Sequence, residues 1–136
     1  MHKIMLHKAF GLDLHIGRAD EDGKIYQKVE GLGKHDRYIG RVDLSNGKVY
    51  DSASMPERPM GRVDKDGKIY HAEFGPDEYL GKVEADGKLY HHKRLARDEY
   101  MGHVEGIENV YLSGGAFLLL IYPAWQAAQT KTDKKA

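Results

Sequence analysis

Residues 60–70 read Met60-Gly61-Arg62-Val63-Asp64-Lys65-Asp66-Gly67-Lys68-Ile69-Tyr70, two short β-type runs on either side of an Asp-Gly turn. This order of strand, glycine turn and strand predicts a β-hairpin. Four other segments align with it on its first glycine, at spacings of 23, 21, 20 and 21 residues. The aligned glycines are Gly17, Gly40, Gly61, Gly81 and Gly102. A period this regular predicts a tandem array of five hairpin units, near residues 16–26, 39–50, 60–70, 80–90 and 101–111.

The pairing register inside a hairpin follows from treating residues 65–67 as a three-residue loop. The facing pairs are then Asp64 with Lys68, Val63 with Ile69 and Arg62 with Tyr70. One face of the sheet carries glycine and β-branched residues, and the other carries an ion pair and a cation over an aromatic ring. The same register suits the other units, with a four-residue loop in the second. In the fifth unit the expected turn is at residues 106–108.

Five cationic residues directly follow the repeat glycines, and the register places each of them opposite a tyrosine. They are Arg18, Arg41, Arg62, Lys82 and His103, opposite Tyr26, Tyr50, Tyr70, Tyr90 and Tyr111. This outer ring is a candidate surface for an anionic headgroup, a sugar or an acidic partner. The alternative is that the pairs only cover the outer face of the sheet, while neighbouring Asp and Lys residues cancel their charge. The alternating charges favour this second interpretation.

Residues 113–122 break the repeat and contain the longest apolar run of the chain. A helix that is apolar on every side must be surrounded by apolar groups, and only the repeat units can provide them. Glycine recurs on the inner face of every unit, which indicates a thin wall that admits another backbone. We therefore expect a helix with Ser113 as its N-cap and Pro123 as its stop or kink. The alternative is one more buried strand.

The N-terminal segment echoes the repeat, since residues 3–4 with 10–11 match residues 68–69 with 74–75. We interpret it as half a unit that pairs with the last hairpin and closes the sheet, which removes the exposed edges. The predicted fold class is all-β with one short C-terminal helix. The architecture is a pseudo-symmetric barrel of tandem β-hairpin repeats with the hydrophobic helix filling its centre.

The repeat h-Gly-Arg-Val-Asp-x-Asp-Gly-Lys-h-Tyr, in which h is apolar, and the Gly-Gly-Ala at 114–116 that precedes the apolar run resemble the bacterial β-flower proteins, particularly the four-fold β-flower type. The resemblance covers residues 16–121. It implies a shallow barrel of hairpin petals threaded by a hydrophobic helix, superficially similar to the tubby C-terminal domain, and it suggests lipid or membrane association. The chain departs from the pattern in its degenerate fifth unit and its extra N-terminal half unit. A weaker similarity is to the Tyr-Asp repeats of large bacterial toxin shells.

Length and composition restrict the class of protein. The 136 residues suit one domain, expected at 1–125 with a flexible charged tail at 126–136. The 21 basic residues balance 21 acidic ones, which argues against nucleic-acid binding. Without cysteine there is no disulfide or thiolate chemistry. Residues 1–8 lack the apolar core of a signal peptide, so we expect a cytoplasmic protein. The apolar run 116–122 is shorter than the roughly 20 residues of a membrane span, so we expect no transmembrane segment.

Residue patterns for catalysis or metal binding are weak. Residues 20–23 and 64–67 match the start of a calcium loop. We interpret them as hairpin turns, because the first lacks the closing Glu and, although Glu73 stands at that distance after Gly67, residues 68–70 are assigned to a strand. The eight histidines show no ligand spacing. No nucleophile elbow or phosphate loop is present in the sequence. We therefore expect no metal, no cofactor and no enzymatic activity.

The repeat architecture favours a non-catalytic binding or protein-interaction module, with a protein partner or a homo-oligomer as the candidate assembly. The alternative is a barrel that binds a lipid or another small apolar ligand and associates with a membrane. In that alternative the C-terminal segment swings out and the barrel admits an acyl chain.

Overall fold

A computed structural model describes residues 2–7, 12–31, 35–53, 56–72, 76–106 and 109–135. Over these residues the chain forms a closed antiparallel barrel of ten strands around a C-terminal helix, as the repeat predicts. The strands are β1 (His2–His7), β2 (Asp13–Ala19), β3 (Lys24–Gln27), β4 (Arg37–Val42), β5 (Lys48–Asp51), β6 (Arg58–Val63), β7 (Lys68–His71), β8 (Glu78–Val83), β9 (Lys88–His91) and β10 (Glu99–Val104). Helix α1 (Val110–Ala116) continues through a π turn (Phe117–Ile121) into helix α2 (Tyr122–Lys135).

The predicted hairpin register is confirmed in the first four units. The observed Cα partners include Ala19 with Ile25, Val42 with Val49, Val63 with Ile69 and Val83 with Leu89. At the hairpin loop, the predicted ion pair of Asp64 with Lys68 is replaced by hydrogen bonds between the Asp64 carboxylate and the backbone. The Asp64 carboxylate accepts the backbone N–H groups of Asp66 and Lys68, at 3.0 and 3.1 Å. The aspartate therefore holds the turn by bonding to the backbone, a frequent role of Asp in turns.

The fifth unit differs from its prediction. Tyr111 does not face His103, because it lies in helix α1. The N-terminal strand β1 takes the place of the expected second strand and pairs with β10 on one side and β2 on the other. His103 is accordingly in register with Met5. The predicted closure by an N-terminal half unit is confirmed, although residues 8–11, 73–75 and 107–108 lie outside the described part of the chain.

Each of the five units contains a β-bulge at the same point of its first strand. The extra residue is the apolar one before the repeat glycine, so that the register shifts there in every unit: Ile16, Ile39, Met60, Leu80 and Met101. A bulge bends its strand and redirects the side chains that follow it. The repeated apolar-glycine pair is therefore the feature that curves the sheet into a barrel.

All five repeat glycines lie against a backbone carbonyl oxygen of the neighbouring strand, and three of them also lie against the central helix. A Cβ added at Gly40 would lie 2.8 Å from Leu119 Cδ1, and one at Gly61 would lie 3.0 Å from Leu118 Cδ1. At Gly17 the added atom would overlap Leu120. The expected thin wall is confirmed. Three successive leucines of the helix contact three successive units of the barrel, in reverse order.

The helix begins earlier than predicted. Its N-cap is Asn109, whose side chain accepts the backbone N–H groups of Tyr111 and Leu112. Ser113, expected to be the N-cap, lies within the first helix and is only 1% exposed. Asn is as good an N-cap as Ser, and a start at Val110 adds one turn that packs among the hairpin turns. The apolar segment is helical, and the alternative of a buried strand is wrong.

The helix does not end at Pro123, because a π turn precedes it. The Tyr122 N–H donates to the carbonyl oxygen of Phe117, five residues back. A π turn rotates less per residue than an α turn. The rotation per residue in this segment is therefore closer to one fifth of a turn, which is the angle between adjacent repeat units around the barrel axis. Phe117 and Ile121 are fully buried in this segment, and such burial contributes about 1.5–3 kcal/mol for a large apolar side chain.

The C-terminal residues continue the helix beyond the barrel. Helix α2 runs to Lys135, so residues 126–135 are helical where a flexible tail is expected. The apolar run 116–122 alone is short, but the helix around it, Val110–Ala128, is long and apolar enough to cross a membrane, with mean hydropathy 1.2. A core helix passes the same test, and 56% of this helix's most apolar window is buried inside the protein.

Gly115→Ala tests the fit between helix and barrel. Alanine gains about 1 kcal/mol over glycine in helix propensity. Its Cβ would overlap Val42 Cγ2, and overpacking costs about 1–3 kcal/mol. We expect a net loss in the free energy of unfolding, measured by chemical denaturation.

The Val42→Ala background supplies the control, because it removes the overlapping methyl group. In that background Gly115→Ala should be neutral or stabilising, so that its effect changes sign. Equal destabilisation in both backgrounds would show that the two residues do not face each other.

Candidate functional site

The outer ring predicted from the sequence forms in three of the five units. The guanidinium carbons of Arg18, Arg41 and Arg62 lie 4.1–4.2 Å from the ring centroids of the tyrosines opposite them, Tyr26, Tyr50 and Tyr70. Lys82 is in register with Tyr90. His103 lacks a facing tyrosine, since β1 supplies Met5 at that position.

An acidic residue of the following unit compensates most cations of this ring. Each repeat glycine is preceded, four residues earlier, by an acid: Asp13, Asp36, Glu57, Asp77 and Asp98. The ion pairs cross from one unit to the next: Arg18 with Asp36 at 3.2 Å, Arg41 with Glu57 at 2.9 Å, Arg62 with Asp77 at 2.8 Å and His103 with Asp13 at 3.1 Å. Lys82 differs and pairs with Glu84 at 3.0 Å. The recurrence of the acid in the sequence is a signal that the prediction of the outer ring did not use.

Glu57 shows how fully these cations are engaged. Its carboxylate accepts three hydrogen bonds from Arg41, at 2.9–3.1 Å, and one from Ser52 at 2.7 Å. These bonds lower the pKa of Glu57. The contacts favour the interpretation that the outer ring covers the sheet and joins neighbouring units.

Asp13 closes the ring at the seam where β1 meets β2 and β10. Its two carboxylate oxygens lie 2.9 Å from His7 Nδ1 and 3.1 Å from His103 Nδ1, and the Tyr100 hydroxyl donates to it at 3.1 Å. Burial alone would raise the pKa of Asp13, but the hydrogen bonds from His7 and Tyr100 and the charge of His103 lower it. Burial and the bond to Asp13 raise the pKa of Tyr100 to about 12. This arrangement holds the ends of the sheet together.

The helix leaves the barrel at the end opposite the hairpin turns, and aromatic contacts fix it to one side. His91 on β9 lies 5.3 Å from the ring of Tyr122 and 4.6 Å from that of Trp125. The Trp125 indole N–H donates to Glu99 on β10 at 3.0 Å. We call His91, Glu99, Tyr122 and Trp125 the clamp. Burial lowers the pKa of His91, and the Glu99 carboxylate opposes that shift without reversing it.

A groove of about 610 Å³ lies between the other face of the helix and the rim of the first three units. Its apolar lining comes from both sides: Leu14, Ile16, Ile39 and Met60 from the rim, and Leu119, Leu120, Pro123, Ala124 and Ala127 from the helix. Helical spacing places residues 120, 124 and 127 on the face away from residues 122 and 125. The clamp therefore holds the helix against units four and five and leaves this side open.

The apolar surface continues to solvent at Leu14, which is 49% exposed. Nothing in the sequence marks the groove as such, because its existence depends on the side toward which the helix leans. The clamp residue Trp125 is the one local indication, since an aromatic residue just after the apolar run needs a surface to cover it.

Charged residues line the margin of the groove. Lys28 and Glu30 pair with each other at 3.5 Å, and Asp51 pairs with Arg58 at 3.8 Å. Arg37 is exposed at the same margin and, among the described residues, has neither a hydrogen bond nor an ion pair. The uncompensated charge at the groove is therefore positive.

A second cavity of about 600 Å³ opens at the turn end of the barrel, lined by His2, Glu21, Asp86, Val104, Gly106, Asn109 and Leu112. Its polar side chains are partly engaged, since His2 bonds to the Glu105 carbonyl oxygen and Asn109 caps the helix. In the described ranges no group of three or more His, Asp or Glu residues is arranged to hold a metal ion.

Comparison of the chain with family models, curated proteins and solved structures finds no significant match. The geometry of the groove and the outer ring is therefore the basis for a functional proposal.

His91→Phe tests the clamp through pH. Folding favours the neutral ring because burial lowers the pKa of His91 below its ordinary value of about 6.5. The neutral ring of His91 therefore stabilises the folded state fully above a pH of about 6.5. This stabilisation is lost as the pH falls toward the lowered pKa of His91 in the folded state. We expect the variant to lose less unfolding free energy than the wild type between pH of about 7 and 5, measured by urea denaturation.

His35→Phe is the matched control, because His35 is exposed and lies away from the clamp. It should keep the pH dependence of the wild type. If His91→Phe keeps it as well, the ring of His91 is not the group that titrates against the helix.

Proposed function

We propose that this chain is a non-catalytic binding module whose binding site is the groove beside the helix exit. The observation that carries the proposal is an open, mostly apolar cavity of about 610 Å³, bounded by the rim of the barrel and the helix. Ligand sites are typically concave, mostly apolar and about 300–1,000 Å³ in volume, with a few polar groups that fix orientation.

The walls of the groove support the proposal because both are held independently of any ligand. The rim strands belong to the closed barrel. The helix is anchored below by the contacts of Leu119 and Leu120 with the repeat glycines and above by the clamp. A site built on such elements is already formed before a ligand arrives, which lowers the cost of binding.

The groove is a better candidate than the outer ring. Most cations of the outer ring pair with acids of the next unit, as Arg62 does with Asp77, and Lys82 pairs with Glu84 of its own unit. A ligand at that surface would have to displace these acids. At the groove, in contrast, apolar groups such as Leu14 remain in contact with solvent. Covering them is favourable by about 25 cal/mol per Å² of apolar surface.

Ala127→Glu tests the proposal with Nile red, a neutral apolar dye whose fluorescence rises in an apolar site. Ala127 lines the groove, so the substitution introduces a charged side chain into it. Titration should show that the wild type binds the dye at one site and that Ala127→Glu binds it at least about threefold more weakly, because the longer charged side chain at this exposed position occupies the mouth of the groove.

The matched control is Ala128→Glu, the same change on the next residue of the helix, which is exposed and does not line the groove. It should leave the affinity unchanged. Equal affinities for all three proteins would place the dye elsewhere and exclude the groove as the binding site. Arg62→Gln should likewise leave the affinity for the dye unchanged. Weaker dye binding by this variant would indicate that the outer ring is the binding site.

A further inference from the structure

Building on the proposed function, we infer that the ligand of the groove is a free single-chain amphiphile with a carboxylate head, that is, a fatty acid. Its acyl chain would lie on the apolar floor, and its head would meet Arg37 at the margin. The inference combines the shape of the groove with the one charge there that no described residue compensates.

The floor suits a linear apolar chain. Ile16, Ile39 and Met60 are the bulge residues of the first three units, and they point to the same inner side as the repeat glycines. Leu119 and Leu120 fill the barrel below them against Gly40 and Gly17. The groove is therefore closed at its base, and a chain in it lies between rim and helix without entering the barrel.

The helix wall of the groove consists mainly of small side chains. Pro123, Ala124 and Ala127 form that wall, and their small side chains leave room beside the helix. On the other face of the helix, Tyr122 and Trp125 already cover the strands. The cavity on that side, lined by residues that include Leu80, Tyr122 and Gln126, is smaller, at about 400 Å³, so the groove is the roomier side for a slender ligand.

The position of Arg37 sets the chemistry of the head. It lies in register with Gln27, at the margin of the groove, and is exposed. The acids nearby already have partners, because Glu30 lies 3.5 Å from Lys28 and the Asp51 carboxylate accepts the Ala53 N–H at 2.8 Å. A guanidinium recognises a carboxylate through paired N–H donors. An anionic head is therefore favoured over a neutral or cationic one.

A small ligand is favoured over a protein partner by the dimensions of the site. The volume of about 610 Å³ falls in the range for small-molecule sites. The apolar groups at the groove converge on one concave site instead of spreading over a face.

Competition against bound Nile red tests the inference with three amphiphiles of equal chain length. Laurate carries the carboxylate, dodecanol is neutral and dodecyltrimethylammonium is cationic, and all are used below their micelle concentrations. We expect laurate to displace the dye at concentrations about two- to fivefold lower than dodecanol, the effect of one exposed ion pair. The cationic compound should be the weakest competitor.

Arg37→Gln should weaken laurate about two- to fivefold and leave dodecanol unchanged. The matched control is Arg94→Gln, because Arg94 is exposed in another loop and does not line the groove. It should leave all three affinities as in the wild type. Thermal unfolding of both variants checks that the fold is retained.

The inference is overturned if laurate and dodecanol compete equally, or if Arg37→Gln leaves laurate unaffected. It is also overturned if the amphiphiles fail to displace a dye whose binding depends on Ala127. In each of these cases the groove remains a binding site and the proposed function stands, with a different ligand such as an apolar segment of a protein. Loss of the dye signal itself would instead contradict the proposed function.

Discussion

The contact between the helix leucines and the repeat glycines is the constraint on which the other features depend. Leu118, Leu119 and Leu120 each lie where a single added carbon on the barrel wall would collide with them. The wall can be so thin because each repeat glycine follows a β-bulge that turns two successive residues inward. The same bulge curves the sheet until its ends meet. In the first three units one repeated dipeptide thus contributes both to barrel closure and to helix burial.

Closure also depends on charge at the outer surface. The acid four residues before each glycine pairs with a cation of the preceding unit in four of the five junctions, and the last of these, Asp13 with His103, joins the two ends of the array. These pairs are partly exposed, so each adds little free energy. Their value lies in register, because a slip of one residue would separate every pair. The outer ring therefore joins neighbouring units of the barrel, and the groove is the site that we propose for binding.

The sequence predicts most of this fold because the period and the Asp-Gly turns fix the register locally. It fails at the fifth unit, where two segments with β-type residues compete for one edge of β10. Strand β1 pairs with that edge of β10. The residues around Tyr111 form the start of helix α1 instead, with Asn109 as its N-cap. The sequence does not predict the groove, because the groove exists only where the helix packs toward one side of the barrel through the contact of Trp125 with His91. That choice depends on packing between residues far apart in the chain.

The central claim is that the helix stays inside the barrel and that binding occurs beside it. Hydrogen exchange of the backbone amides, followed by mass spectrometry, tests this most directly. The account predicts that amides of residues 118–121 exchange only by global unfolding, as slowly as those of the central strands. It also predicts that those of residues 130–135, which follow the residues lining the groove, exchange quickly. Faster exchange at 118–121 than in the strands would contradict it, because the helix would then leave the barrel while the sheet remains closed.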